Sequence, residues 1–174
     1  MAAYSQLVPI SELDPQGAAK IRNDITKQIV AMAVQATNYP EDRFVVRDIR
    51  PAGDLDYTYE DWGEKTGATA DAFETMTTGT NVDQRWICFY GIHVAADYLS
   101  CSQLKFNIGG SDRAIWSLQR LNLTDGFVGY SPAGIVIPPN APYTISRYVI
   151  QANAGAPIVL KGFVVEPRGK LVSP

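Results

Sequence analysis

Residues 84–98, QRWICFYGIHVAADY, decide the fold class. Read with a period of two, one face carries Trp86, Cys88, Tyr90, Ile92 and Val94, and the other Ile87, Phe89, His93 and Ala95. Both faces are largely apolar, and a strand with two apolar faces must be covered on both sides. Working outward, Leu104, Phe106 and Ile108 alternate with Gln103, Lys105 and Asn107, and Ala114, Trp116 and Leu118 resume the pattern after Gly109-Gly110-Ser111-Asp112. That spacing predicts a hairpin with a four-residue connection. Residues 127–130, 134–137, 143–152 and 158–166 add further strands bounded by Pro, Gly or Asn, and on the N-terminal side RFVVRDIR, 43–50, alternates Val45 and Ile49 with charged neighbours.

One segment has a different period. Ile21, Ile25, Ile29, Met32, Ala33 and Ala36 recur at spacings of three and four, which predicts an amphipathic helix. Asp14-Pro15 reads as its N-cap and first position, and Asn38-Tyr39-Pro40 as its stop. About eight strands therefore follow one helix, and the expected fold is all-β: an eight-stranded jelly-roll sandwich or barrel with one N-terminal amphipathic helix. The chain divides as a single domain over 1–174. Within it lie an arm at 1–13, the helix at 14–38, a β-barrel at 43–166 with an irregular loop at 51–82, and a tail at 167–174.

Composition narrows function more than it identifies it. The 174 residues carry 15 Lys and Arg against 18 Asp and Glu, a net charge of -3, with no basic run. Nucleic-acid affinity rests on clustered Lys and Arg, so no direct nucleic-acid partner is expected. The first 13 residues contain no Lys or Arg, and the longest apolar run, Ile29 to Val34, is far shorter than a membrane span. These features predict a chain made in the cytoplasm and not exported. Cys88 and Cys101 read as reduced, partly buried thiols, a disulfide being the alternative, and Asn122-Leu123-Thr124 as a chance glycosylation match.

No motif in the chain carries chemistry convincingly. Asp54, Asp56, Thr58 and Glu60 imitate the alternating oxygens of a calcium loop, but Tyr59 stands where the turn needs Gly and Lys65 where a bidentate Glu belongs. Gly63-Glu64-Lys65-Thr66 lacks the glycine spacing and the strand–loop–helix setting of a phosphate loop. His93 is the sole histidine, and as a mid-strand residue it reads as half-buried rather than as a base or metal ligand. No catalytic residue, cofactor or metal is expected. Tyr57, Tyr59 and Trp62 form the one exposed aromatic cluster the pattern allows, and these three with Cys101 are the candidate interface residues.

Across its length the chain resembles the smaller major capsid proteins of the tailless, icosahedral, membrane-containing bacteriophages of thermophilic bacteria, the sphaerolipovirus group. The likeness lies in the opening MAAYSQLVPISELDPQGAAK, the helix through Ala36, the pair WICFYGIHVAADYLSCSQLKFNIGG and the closing PIVLKGFVVEPRGK. It implies a single vertical jelly roll that dimerises and co-assembles with a second, larger capsid protein in the virion shell. It also leaves the internal viral membrane open as a contact. A shell separated from its genome by lipid needs no basic arm, in agreement with a first 13 residues that hold no Lys or Arg and only Glu12 as a charged side chain. The rival readings are a carbohydrate- or ligand-binding β-sandwich such as a receptor-binding module, and a small cupin-like enzyme without its metal.

Overall fold

The computed structural model describes residues 3–58, 62, 64–94, 101–118, 121, 127–153 and 155–169. The strand end expected at 95–98, the 122–124 sequon, Tyr59, Glu60 and most of the tail lie outside the described residues. In chain order the strands are β1 Ala3–Gln6, β2 Val8–Pro9, β3 Phe44–Asp48, β4 Glu64–Thr66, β5 Ala72–Thr80, β6 Trp86–Val94, β7 Gln103–Ile108, β8 Ser111–Ser117, β9 Val128–Ile137, β10 Pro142–Val149 and β11 Gly155–Pro167. The helices are α1 Gly17–Thr37 and the short α2 Pro51–Leu55. Two sheets face each other as a sandwich. One has the order β1-β8-β7-β10-β5 and the other β2-β9-β6-β11-β3, with β4 pairing β11 beside β3. All ladders are antiparallel except β1 on β8, which is parallel.

The main core lies between the sheets. Ile87, Phe89, Ile92, Val94, Ile137 and Val164 of one sheet meet Leu104, Phe106, Trp116, Tyr143 and Ile145 of the other. Phe106 is its aromatic centre, 4.9 Å from Trp116 edge-on and 5.6 Å from Phe89. A second cluster lies on the outer face of the β6 sheet, where Ile25, Ile29, Val30 and Ala33 of α1 pack on Phe44, Trp86, Cys88, Phe163 and Val165. The doubly apolar reading of β6 thus holds, with the partner sheet on one side and α1 on the other.

Several details differ from expectation. Strict alternation puts Ile92 and Val94 with Trp86, but both join Ile87 and Phe89 in the inner core. The cause is a bulge: Phe89 and Gly91 pair on both neighbouring strands while Tyr90 is passed over, so the side-chain phase reverses there. β9 merges the two strands expected at 127–130 and 134–137; Gly134, at φ 62, turns the chain where a Cβ would lie 3.2 Å from Cys88 Sγ and Ile25. The loop expected at 51–82 contains α2, β4 and the nine-residue β5. Half of β5 faces solvent, so its threonines show no apolar alternation, although they suit a pleated sheet. Nine strands of four or more residues result among the described residues, where eight were expected.

The arm is not free. β1 extends one sheet along β8, β2 extends the other along β9, and Leu7 between them is buried. The hairpin turn is tighter than expected, with only Gly109 and Gly110, both at positive φ, between β7 and β8. α1 begins at Gly17, not at Pro15, because the Asp14 carboxylate accepts from the Gln16 N–H at 2.9 Å in a preceding turn. It ends at Asn38 in the left-handed conformation. Met32 and Ala36 face solvent and Val30 is buried in their place, because the sheet touches only the stripe around Ile25, Ile29 and Ala33. Replacing Ile29, 2% exposed, by Ala should cost about 2–5 kcal/mol. Chemical denaturation measures this, and a loss under 1 kcal/mol would mean that α1 is not docked on the sheet.

Candidate functional site

Four charged side chains converge between the β3 and β5 edges of the sandwich. β3 projects Arg47 inward, β11 projects Glu166, Arg85 precedes β6, and α2 delivers Asp54. Pro51 at the first turn of α2 sets the chain direction, and the Arg50 N–H donates to Asp54 Oδ2 at 2.7 Å. Arg47 donates to both Asp54 oxygens, at 2.6 and 2.7 Å, and to Glu166 Oε1 at 2.8 Å. Arg85 donates to Glu166 Oε2 at 2.9 Å and lies 3.3 Å from Asp54 Oδ1. The Asp54 and Glu166 side chains are 0% and 1% exposed, the arginines 15% and 14%. Two positive charges balance two negative ones.

Burial pushes the Asp54 carboxyl up, but hydrogen bonds from Arg47 and the Arg50 N–H and the charges of both arginines outweigh it, holding the group below its ordinary value. The same hydrogen bond from Arg47 to Asp54 raises the arginine, against the opposing effect of burial. Tyr143 is pushed up to about 12 by burial and by the negative charges of Asp56 and Asp54. Anions held by guanidinium groups are acceptors, not proton donors, so the cluster acts as a clamp. It ties the 51–57 segment to both β3 and β11, while Leu55 and Tyr57 sink into the main core and the Thr77 hydroxyl donates to the Leu55 carbonyl.

The expected site residues are not gathered into an exposed patch. Tyr57 is 4% exposed, Trp62 is partly buried against the core 5.2 Å from the Tyr57 ring, and Tyr59 lies outside the described residues. The exposed cluster is therefore corrected for Tyr57: its ring belongs to the main core. Cys101 is buried, its thiol 3.6 Å from the Gln103 carbonyl, and Cys88 lies beneath α1. Both thiols are free, and burial pushes each up to about 12. Asp54 is committed to the arginines and not to a cation loop, and no group of three or more metal-ligating residues occurs among the described residues. His93 is half-buried on β6.

Sequence reasoning missed the clamp because its members lie as far as 119 residues apart, the separation of Arg47 and Glu166. The available signal was a carboxylate inside each apolar context, Glu166 closing FVVE and Asp54 following Pro51. Asn81 was missed as well: its buried amide donates to the carbonyls of Arg85, Ile137 and Pro138, joining the β5–β6 and β9–β10 crossovers. Comparison with protein-family models gives no match, and comparison with curated proteins gives none either.

Asp54→Asn should destabilise the fold by about 3–5 kcal/mol, as expected when one partner of a buried ion pair is removed. Because the folded carboxyl titrates below the unfolded one, its contribution is complete above about pH 4 and is lost as the pH falls through the folded value. Denaturation midpoints measured from pH 7 downward should show a shallower acid decline in the variant; an unchanged decline would assign it to other carboxylates. Native protein at pH 8 should leave both thiols unmodified by iodoacetamide, and both should react once denaturant is added. Rapid labelling of the native chain would contradict their burial.

Proposed function

We propose that the chain is a viral coat subunit, a single jelly roll that dimerises and builds an icosahedral bacteriophage shell with a second, larger capsid protein over an internal membrane. One observation carries the reading. Setting aside β4, the strands after α1 pair in nested order: β3 with β11, β5 with β10, β6 with β9 and β7 with β8, every ladder antiparallel. Nested pairing of first with last is what a long antiparallel ribbon produces when it folds over on itself. The two sheet orders, β3-β11-β6-β9 and β5-β10-β7-β8, follow from it. The arm supports the same reading, since it holds no Lys or Arg and its β1 and β2 extend the two sheets instead of forming a basic extension.

Such sandwiches also host binding modules, because a fold does not dictate a function. One feature favours that second reading. On the outer face of the β5 sheet Phe73, 38% exposed, sits 5.1 Å from Tyr148 with Lys105 Nζ 4.5 Å above its ring, and α1 covers only the opposite sheet. Glycan binding there would be lost on changing Phe73→Ala.

Light scattering decides between them. Alone, the protein should give the mass of a dimer, and mixed with the other major structural proteins of the same genome it should grow into shells or sheets. A persistent monomer indifferent to every partner would overturn the coat reading.

A further inference from the structure

The β3–β11 ladder ends with Pro167 opposite Phe44, and one backbone hydrogen bond goes past it: the Arg168 N–H donates at 2.7 Å to the carbonyl of Arg43, the last residue of a 3-10 turn over Glu41–Arg43. Two exposed arginines are thus brought into one neighbourhood, and like charges repel. Arg22, Arg47, Arg85 and Arg147 each meet a carboxylate, whereas among the described residues Arg43, Arg50, Arg113 and Arg168 form no ion pair, and of these four Arg43 and Arg168 share a cleft. Both line one cleft of about 460 Å³ with Tyr39, Pro40, Gln84 and Pro167. Glu41 and Asp42, adjacent in the chain, do not line it. The C-cap of α1, Asn38, lies one residue before the cleft wall, and the partial negative charge of that helix end opposes an anion there, so the two arginines have to outweigh it.

We propose that this cleft binds a phosphomonoester. The guanidinium groups of Arg43 and Arg168, both exposed residues of one cleft, offer several N–H donors to the three terminal oxygens, and two positive charges match the roughly -1.5 to -2 of a phosphomonoester near pH 7. A carboxylate brings a single charge and leaves one positive charge unbalanced. Tyr39, 41% exposed, and the two prolines form an apolar wall for the organic part of the ester. The volume falls within the usual range for small-ligand sites.

The test uses the full chain, with calorimetry and thermal melting in phosphate-free buffer at low salt. Phenyl phosphate should bind saturably and raise the melting temperature, with benzoate about tenfold weaker or more. Arg43→Gln and Arg168→Gln should each weaken phenyl phosphate binding by about tenfold or more. Both variants should melt no lower than the parent in phosphate-free buffer, since each removes one of two repelling charges. No saturable binding, or affinity indifferent to both substitutions, would overturn the proposal. Co-sedimentation with vesicles containing phosphatidic acid, lost in the same variants, would put the ester on a lipid; phenyl phosphate binding without vesicle binding would make it a soluble compound.

Discussion

Two adjacent strands, β6 and β11, have apolar side chains on both faces, and the rest of the molecule is arranged to cover them. Ile87, Phe89 and Val164 face the partner sheet, while Trp86, Cys88, Phe163 and Val165 face α1. Full burial of one such side chain contributes roughly 1.5–3 kcal/mol, so exposing either face would forfeit a large share of a marginal stability. The bulge at Tyr90 serves the same constraint, because it returns Ile92 and Val94 to the inner core after the sheet has bent.

Covering the faces leaves the edges open. At one side of the sandwich the arm closes both edges, with β1 along β8 and β2 along β9. At the other, the 51–57 segment fills the gap between β3 and β5, held by the charge clamp and by Leu55 and Tyr57. A buried ion pair stabilises little relative to an apolar substitute, yet it is costly to break from one side. The clamp therefore fixes where α2 sits more than it adds to total stability. Arg43 and Arg168, just beyond the same ladder, show the contrary arrangement: charges brought to one cleft with no carboxylate among the described residues pairing with them.

Several strands were legible one by one: β7, β8 and β10 appear where Leu104, Trp116 and Tyr143 fall on a period of two, and β11 where the apolar run around Phe163 is bounded by Pro157 and Pro167. β5 was not, because its outward threonines and its inward Thr77 carry the same residue type, and periodicity vanishes when the two faces look alike. Tyr57 misled for a related reason. An aromatic residue among acids reads as exposed, but Asp54 is itself buried by two arginines, and the ring follows it inward.

Local sequence determined the doubly apolar strand, the helix over most of its length, its stop at Asn38 and the Gly109-Gly110 turn, since each depends on neighbours within a few residues. Tertiary structure alone decided the nested strand order, the phase reversal at Tyr90, the docking of the arm and the meeting of Arg47 with Glu166. Those depend on which distant strands pair and in what register, and a one-residue difference in register moves every following side chain to the other face of the sheet.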